Sequence, residues 1–260
     1  MELFLKNLKD DFELGISNNK KYKEKIDSIS KLFNLTGKNT LMPLLPSGFT
    51  GRYNKMNQYV LFSLNPGYSD KFNVSEEIQK TTSWDKYLKF RTELYLFFKR
   101  LNHTSRYYKA FWLLFSGLLD KNINNDSKWD FFDQRLVNFN LIPYHSKGIT
   151  LPNHFSDKQF EYLMSLFDSE MNFIRKNNPK LLIFNGNAWY NLLIKQNIVK
   201  IKNSIDITPK FSLYFFNYMD IPCVLFDKFF SFHFWGINDT HRNKIIPNMI
   251  KKEYSDIIFD

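Results

Sequence analysis

The sequence contains a single cysteine, Cys223, in 260 residues. One thiol excludes an intrachain disulfide, and it cannot supply the several thiolates of a structural zinc or iron–sulfur centre. The five histidines do not fill this gap, because no two of them have the spacing of metal ligands on one helix. We therefore expect neither a metal centre nor another cofactor.

Long apolar runs are also missing from the chain. No run reaches the ~18 residues of a membrane-spanning helix. The first residues are charged at Glu2 and lack the apolar core of a secretory signal. We expect a soluble, cytoplasmic protein with no membrane partner. No repeat or low-complexity linker divides the chain, so we predict one monomeric domain over residues 1–260, in which residues 1–40 form outer helices.

Positive charge is in excess, with 36 lysines and arginines against 26 acidic residues and a formal net charge of +10. A basic domain suits a polyanionic partner. The basic residues are nevertheless spread along the predicted helices, which is equally typical of a solvated surface. The aromatic content of 18% is typical of proteins encoded by A+T-rich genomes. Composition alone leaves a nucleic-acid partner and an ordinary lysine-rich surface both open.

Four short apolar runs predict buried strands, at residues 58–64, 136–142, 181–184 and 222–226. Helical patterns lie between them, and the clearest begins at Ser156 with a capping box. Strands that alternate with helices favour a parallel sheet covered on both faces. We predict an α/β fold with three layers, α/β/α, and a central, mostly parallel four-stranded sheet.

Polar residues mark the ends of three of these strands. Asn65 follows the first, Asn140 lies near the end of the second and His233 follows the last, and ligands of such sheets bind outside the carboxyl ends of the strands. Each residue also has a simpler interpretation: Asn65 as a turn former, Asn140 as a partner of backbone groups, His233 as a hydrogen-bonded core residue. Their common position predicts a site at this edge of the sheet.

Four segments, in chain order, resemble the uracil-DNA glycosylase superfamily in its mismatch-specific and single-strand-selective branches. They are residues 63–67 (SLNPG), 138–146 (NFNLIPYHS), 179–189 (PKLLIFNGNAW) and 232–238 (FHFWGIN). The resemblance extends over about residues 40–254. It departs from the family pattern at Ser63, where the family has glycine, and at 234–235, where it has Pro-Ser. The single cysteine excludes the iron–sulfur branches.

The resemblance implies a monofunctional DNA glycosylase, which hydrolyses the bond between a flipped-out base and its sugar and leaves an abasic site. Asn65 would position the attacking water, since an amide has no useful basicity. Asn140 would read the base edge through its donor and its acceptor. His233 would donate a hydrogen bond to the anionic leaving base.

The remaining candidate residues would hold the base and the DNA. In the uracil-specific members of the family that the chain resembles, a tyrosine at the position of Gly67 excludes 5-substituted bases. The resemblance therefore implies a 5-substituted cytosine or uracil as substrate, including hypermodified phage bases. Tyr68 and Phe72 are the candidates for stacking on the flipped base. Trp235 and Ile237 are the candidates for a wedge that fills the space left in the DNA stack. Arg242 and Lys244 are the candidates for contact with phosphate. Trp235 and Ile237 could instead be hydrophobic anchors, and the two cations a solvated helix face.

Three alternatives to this function stay open. The chain could be a plain uracil-DNA glycosylase in base-excision repair. It could also be a non-catalytic nucleic-acid-binding protein that keeps the fold, or a hydrolase of free nucleosides or nucleotides. The predicted partner in the leading interpretation is DNA, double- or single-stranded, with phage DNA included.

Overall fold

A computed structural model describes residues 2–55, 58–65, 80–103, 105–123, 127–231 and 235–259. The described part of the chain is an α/β protein with one seven-stranded sheet. Its strands are β1 (Phe49–Thr50), β2 (Tyr59–Ser63), β3 (Leu136–Asn140), β4 (Leu181–Asn185), β5 (Asn203–Thr208), β6 (Phe211–Tyr218) and β7 (Ile221–Phe226).

The strand order is β1-β3-β2-β4-β7-β6-β5. The four central strands β3, β2, β4 and β7 are parallel, and they are the four strands expected from the sequence. β1 pairs antiparallel with β3 at one edge, and β6 and β5 add antiparallel strands beyond β7. The predicted parallel core is therefore confirmed, whereas the prediction of four strands in the whole sheet is wrong.

The helices of the described residues are α1 (Leu3–Ser17), α2 (Asn19–Leu32), α3 (Trp84–Thr92), α4 (Leu94–Arg100), α5 (Arg106–Leu118), α6 (Lys128–Arg135), α7 (Asp157–Ile174), α8 (Asn187–Trp189) and α9 (Ile246–Glu253). α8 continues into a π-helical turn, Tyr190–Ile194, and another, His241–Ile245, precedes α9. α7 begins with the predicted capping box, in which the side chains of Ser156 and Gln159 each bind the other's backbone N–H. No helix among these is both long and apolar enough to cross a membrane.

The helices cover both faces of the sheet. Val60 and Phe62 of β2 point into a core shared with α1, α2 and α7, whereas Tyr59 and Leu61 point into a second core with α4, α5, α6 and α9. This alternation follows from the period of two residues in a strand. Because both faces of the central strands are buried, their sequences are mainly apolar.

The strand order places β3 on one side of β2 and β4 on the other. Helices α4 to α6, which lie between β2 and β3 in the chain, pack on one face, and α7, between β3 and β4, packs on the other. The chain thus adds one strand on one side of β2 and the next strand on its other side. In open α/β sheets ligands bind outside the carboxyl ends of the strands at the point where the strand order reverses in this way. The topology therefore directs attention to the residues that follow β2, β3 and β4.

One buried carboxyl group stands out in the core. Glu170 of α7 is 2% exposed, and its Oε2 atom has no hydrogen-bond partner among the described residues. Burial raises the pKa of Glu170 well above its usual range, because an unpaired carboxylate loses its hydration in the interior. The folded protein therefore holds this carboxyl group in its protonated form where the unfolded chain would ionise it.

Glu170→Gln is expected to increase the free energy of unfolding at neutral pH. Above the unfolded pKa of about 4.3, ionisation of Glu170 stabilises the unfolded chain but not the folded protein. The free energy of unfolding of the native protein therefore falls by about 1.4 kcal/mol per pH unit until the folded pKa is reached. The amide does not titrate, so the advantage of the variant should be small at pH 4 and grow as pH rises. Urea unfolding across this range measures it.

The matched control is Glu161→Gln, since Glu161 is an exposed glutamate on the same helix. Its effect should be small and nearly independent of pH. A variant at Glu170 that is less stable than the native protein by a constant amount at every pH would mean that the buried carboxyl is ionised and paired.

Candidate functional site

Asn65 joins the chain segments that follow β2 and β3. Its Nδ2 donates to the backbone oxygen of Tyr144, at 3.2 Å, and to Oγ of Ser146, at 2.9 Å. Backbone bonds from Leu141 to Ser63 (3.0 Å) and from Ile142 to Leu64 (2.8 Å) continue the strand pairing up to this point. Both side-chain bonds use the amide nitrogen, and they fix the direction in which the side-chain oxygen points.

Asn140 is the last residue of β3 and is buried. Its Nδ2 donates to the backbone oxygen of Ser47 at 2.7 Å. Ser47 is the only hydrogen-bond partner of this side chain among the described residues. The simpler interpretation, that Asn140 satisfies a backbone group, thus accounts for one of its two amide hydrogens. It does not account for the second amide hydrogen or for the side-chain oxygen.

The two asparagines lie at the same edge of the sheet. Ser63 of β2 is the register partner of Asn140, and Asn65 follows Ser63 by two residues. The structure therefore brings together two of the three residues predicted to form the site. His233, the third, lies outside the described residues, as do Gly67, Tyr68 and Phe72.

A hydroxyl network that the sequence did not reveal lies beside these asparagines. Oγ of Ser63 donates to Oδ1 of Asn138 at 2.8 Å and is in hydrogen-bond contact with the hydroxyl of Tyr107, on α5. The Tyr107 hydroxyl is itself 3.4 Å from Asn138 Oδ1. Burial raises the pKa of Tyr107, so this hydroxyl remains neutral and keeps its proton to donate.

Asn185, the last residue of β4, extends the polar cluster across the sheet. Its Oδ1 accepts a hydrogen bond of 2.9 Å from the backbone N–H of Phe230, in the segment after β7. Its Nδ2 is close enough to the Tyr107 hydroxyl to lower that group's pKa but makes no hydrogen bond of normal geometry with a described residue. A buried amide without a full set of partners is unusual in a folded protein.

Arg242, a predicted phosphate contact, lies in the π-helical turn before the last helix. Its side chain is buried, and Nε and Nη2 both donate to the backbone oxygen of Phe230 at 3.1 Å. Nη1 lies 3.3 Å from the carboxylate of Asp239. The guanidinium therefore anchors the segment after β7 to the start of the last helix, and the phosphate contact expected of Arg242 stays a prediction.

The other predicted DNA contacts differ in their exposure. Ile237 is 2% exposed, which fits the hydrophobic-anchor interpretation rather than a wedge. Trp235 is half-buried; its backbone oxygen accepts from Thr208 Oγ1 at 2.7 Å, and its Nε1 is buried without a partner among the described residues. Lys244 is exposed on the π-helical turn and remains a candidate for phosphate contact.

His145 is, with His241, the alternative to His233 as the donor to the leaving base. It is buried between Tyr144 and Ser146, the two residues that receive the hydrogen bonds of Asn65. Its backbone oxygen accepts from Met42 at 2.8 Å. The segment 138–146 contained a signal for it, because that segment already carried Asn140.

No protein-family model matches this chain, and no curated protein matches it either.

Proposed function

We propose that the protein is a monofunctional DNA glycosylase. The observation that supports this most is the placement of Asn65 and Asn140 at the carboxyl ends of two neighbouring parallel strands, next to the buried hydroxyl of Tyr107. This edge flanks the reversal of strand order, where α/β sheets bind ligands. The assignment itself comes from the resemblance of the four segments described above.

Cleavage of a glycosidic bond develops positive charge on the sugar and negative charge on the leaving base. A duplex hides this bond, so the base must leave the stack and enter a pocket. In the proposed mechanism the oxygen of Asn65 orients the attacking water, because the amide nitrogen is already held by Tyr144 and Ser146. His233 donates to the leaving base, as the resemblance implies.

Base recognition is assigned to neutral groups. Asn140 has an oxygen and one amide hydrogen beyond its bond to Ser47, which is enough to pair with a pyrimidine edge. Tyr107 keeps its proton and adds a donor through the network with Ser63. Neutral donors and acceptors suit an uncharged base, and a charged side chain buried here would cost more to desolvate.

The DNA backbone is assigned to exposed cations. Lys244 is exposed at the start of the last helix, and the chain carries a formal charge of +10. Phosphate contacts supply most of the affinity of such proteins and make it salt-dependent. In this proposal a cytoplasmic monomer acts on double- or single-stranded DNA, phage DNA included.

The deciding experiment is an abasic-site assay on oligonucleotides that carry uracil, 5-hydroxymethyl bases or glucosylated 5-hydroxymethyl bases. Alkali should cleave the product strand only where a base has been lost, and binding to the oligonucleotide should weaken as salt rises. Salt-dependent binding with no base release from any substrate would favour a non-catalytic binding protein. Release from free nucleosides that is insensitive to salt would favour the nucleoside hydrolase.

Gly67→Tyr is expected to abolish the release of 5-substituted bases while leaving uracil release largely unchanged. Gly67 lies outside the described residues, so the argument rests on the resemblance: a tyrosine ring at this position fills the space beside C5 of the base. Release of uracil and of a glucosylated base by the same preparations measures the change. Native protein that prefers plain uracil, together with a variant that still releases modified bases, would show that Gly67 serves only the turn.

A further inference from the structure

A cavity lies on the opposite face of the sheet from Tyr107. It has a volume of about 200 Å³, far above the ~10–15 Å³ that one water molecule requires. Its walls come from four elements, namely α1, α2, the segment after β3, and α7. Phe4, Leu8, Leu141 and Leu166 supply an apolar lining.

Two polar groups in this cavity have unmet hydrogen-bonding capacity. Oε2 of Glu170 and Oγ of Ser169 are both buried without a partner among the described residues, and both residues line the cavity. An unsatisfied buried polar atom costs free energy comparable to that of a lost hydrogen bond, so such atoms are uncommon in native proteins. Glu170 and Ser169 are consecutive residues of α7 that line the cavity, so a molecule bound in it would lie beside two groups that lack a hydrogen-bond partner.

The charged groups around Glu170 determine whether a ligand of this cavity should be a cation or an anion. Asp11 is already satisfied, since it is in contact with the Lys25 ammonium and accepts from the Tyr144 hydroxyl at 2.5 Å. Asp10, another lining residue, is exposed. The ionisable groups that line the cavity are Asp10 and Asp11 from α1, Lys25 from α2, Tyr144 from the segment after β3, and Tyr162 and Glu170 from α7. Only Lys25 among them is a cation, and it is committed to Asp11.

We propose that this cavity binds a small organic cation, an alkylammonium group with an apolar body, with Glu170 as its counter-ion. The ammonium would donate to Glu170 and to Ser169, and the apolar body would lie against Phe4, Leu8 and Leu166. Binding would convert Glu170 from its protonated to its ionised form, and that proton would be released to the solvent. This inference does not depend on the proposed glycosylase activity.

The test is isothermal titration of the full chain with n-butylammonium chloride at neutral pH, in phosphate and in Tris. These buffers differ in ionisation enthalpy, so comparing the heats gives the number of protons released. We expect binding that releases protons, because the ammonium group favours the ionised form of Glu170. The neutral analogue 1-butanol, which cannot pair with a carboxylate, should bind at least tenfold more weakly and release none.

Variants locate the site. Glu170→Gln should weaken butylammonium binding at least tenfold and abolish proton release, and Ser169→Ala should weaken binding without affecting proton release. Glu161→Gln, the exposed control on α7, should bind like the native protein, and thermal unfolding of each variant shows that it is folded. The proposal is overturned if butylammonium does not bind, if it binds without proton release, or if folded Glu170→Gln binds it unchanged.

Discussion

Asn65→Ala is expected to lower the rate of base release at least ~100-fold while DNA affinity stays within a few-fold of the native value. The oxygen of this side chain acts in the proposed mechanism only on the attacking water, and misplacement of a reacting group by about 1 Å can lower the rate ~100-fold. Affinity comes chiefly from phosphate contacts elsewhere. Single-turnover cleavage and a binding titration on the same oligonucleotide separate the two quantities.

Asn177→Ala is the matched control for Asn65. The Asn177 amide also donates to a backbone oxygen, that of Tyr53, at 2.9 Å, but it lies just before β4, at the amino end of the parallel strands. The two variants lose a similar bond, so a general effect on folding should appear in both. Full activity of a folded Asn65→Ala protein, or an equal loss in both variants, would remove Asn65 from the mechanism.

The central strands could be predicted because they are buried on both faces. Mainly apolar sequence such as that of β2, Tyr59–Ser63, follows directly from this environment, and every residue of β2, β3 and β4 is buried. The capping box at Ser156 is similarly local, since it depends on residues only three positions apart. Parallel order could then be inferred from the intervening helices.

The antiparallel edge gave no comparable signal. β5, Asn203–Thr208, is polar and has no buried residue, so it lacks the apolar run that marked the other strands. β6, Phe211–Tyr218, alternates between buried and partly exposed residues over much of its length. It is joined to β7 by Met219 and Asp220, both at positive φ, and neither is the glycine that usually marks such a turn.

Only those residues of the candidate site that lie at the carboxyl ends of the strands could be predicted from the sequence. Asn65 and Asn140 are found from their place in the chain, because parallel strands end at a common edge. Tyr107 comes from α5, more than forty residues after β2, and only tertiary packing brings its hydroxyl to Ser63. The burial of Arg242 is likewise a tertiary property: its partner is the backbone oxygen of Phe230, which no side-chain pattern reveals.

His233→Ala is expected to lower kcat by ~100–1000-fold with a much smaller change in KM. A donor that faces the leaving base binds the developing anion more strongly than the neutral base, so its loss affects the transition state more than the ground state. His233 lies outside the described residues, and the expectation rests on its place in the segment that resembles the glycosylases. Steady-state kinetics on an oligonucleotide with a single modified pyrimidine give both constants.

His145 makes this prediction sharper, because the structure places it between the two residues that hold Asn65. Its imidazole is buried, so His145→Ala would leave a cavity and is expected to lower stability. We expect its effect on kcat, measured below its unfolding transition, to be smaller than that of His233→Ala. If His145→Ala instead reduces kcat by the larger factor and His233→Ala changes only KM, the donor to the leaving base is His145, and the alignment of segment 232–238 with the family is wrong.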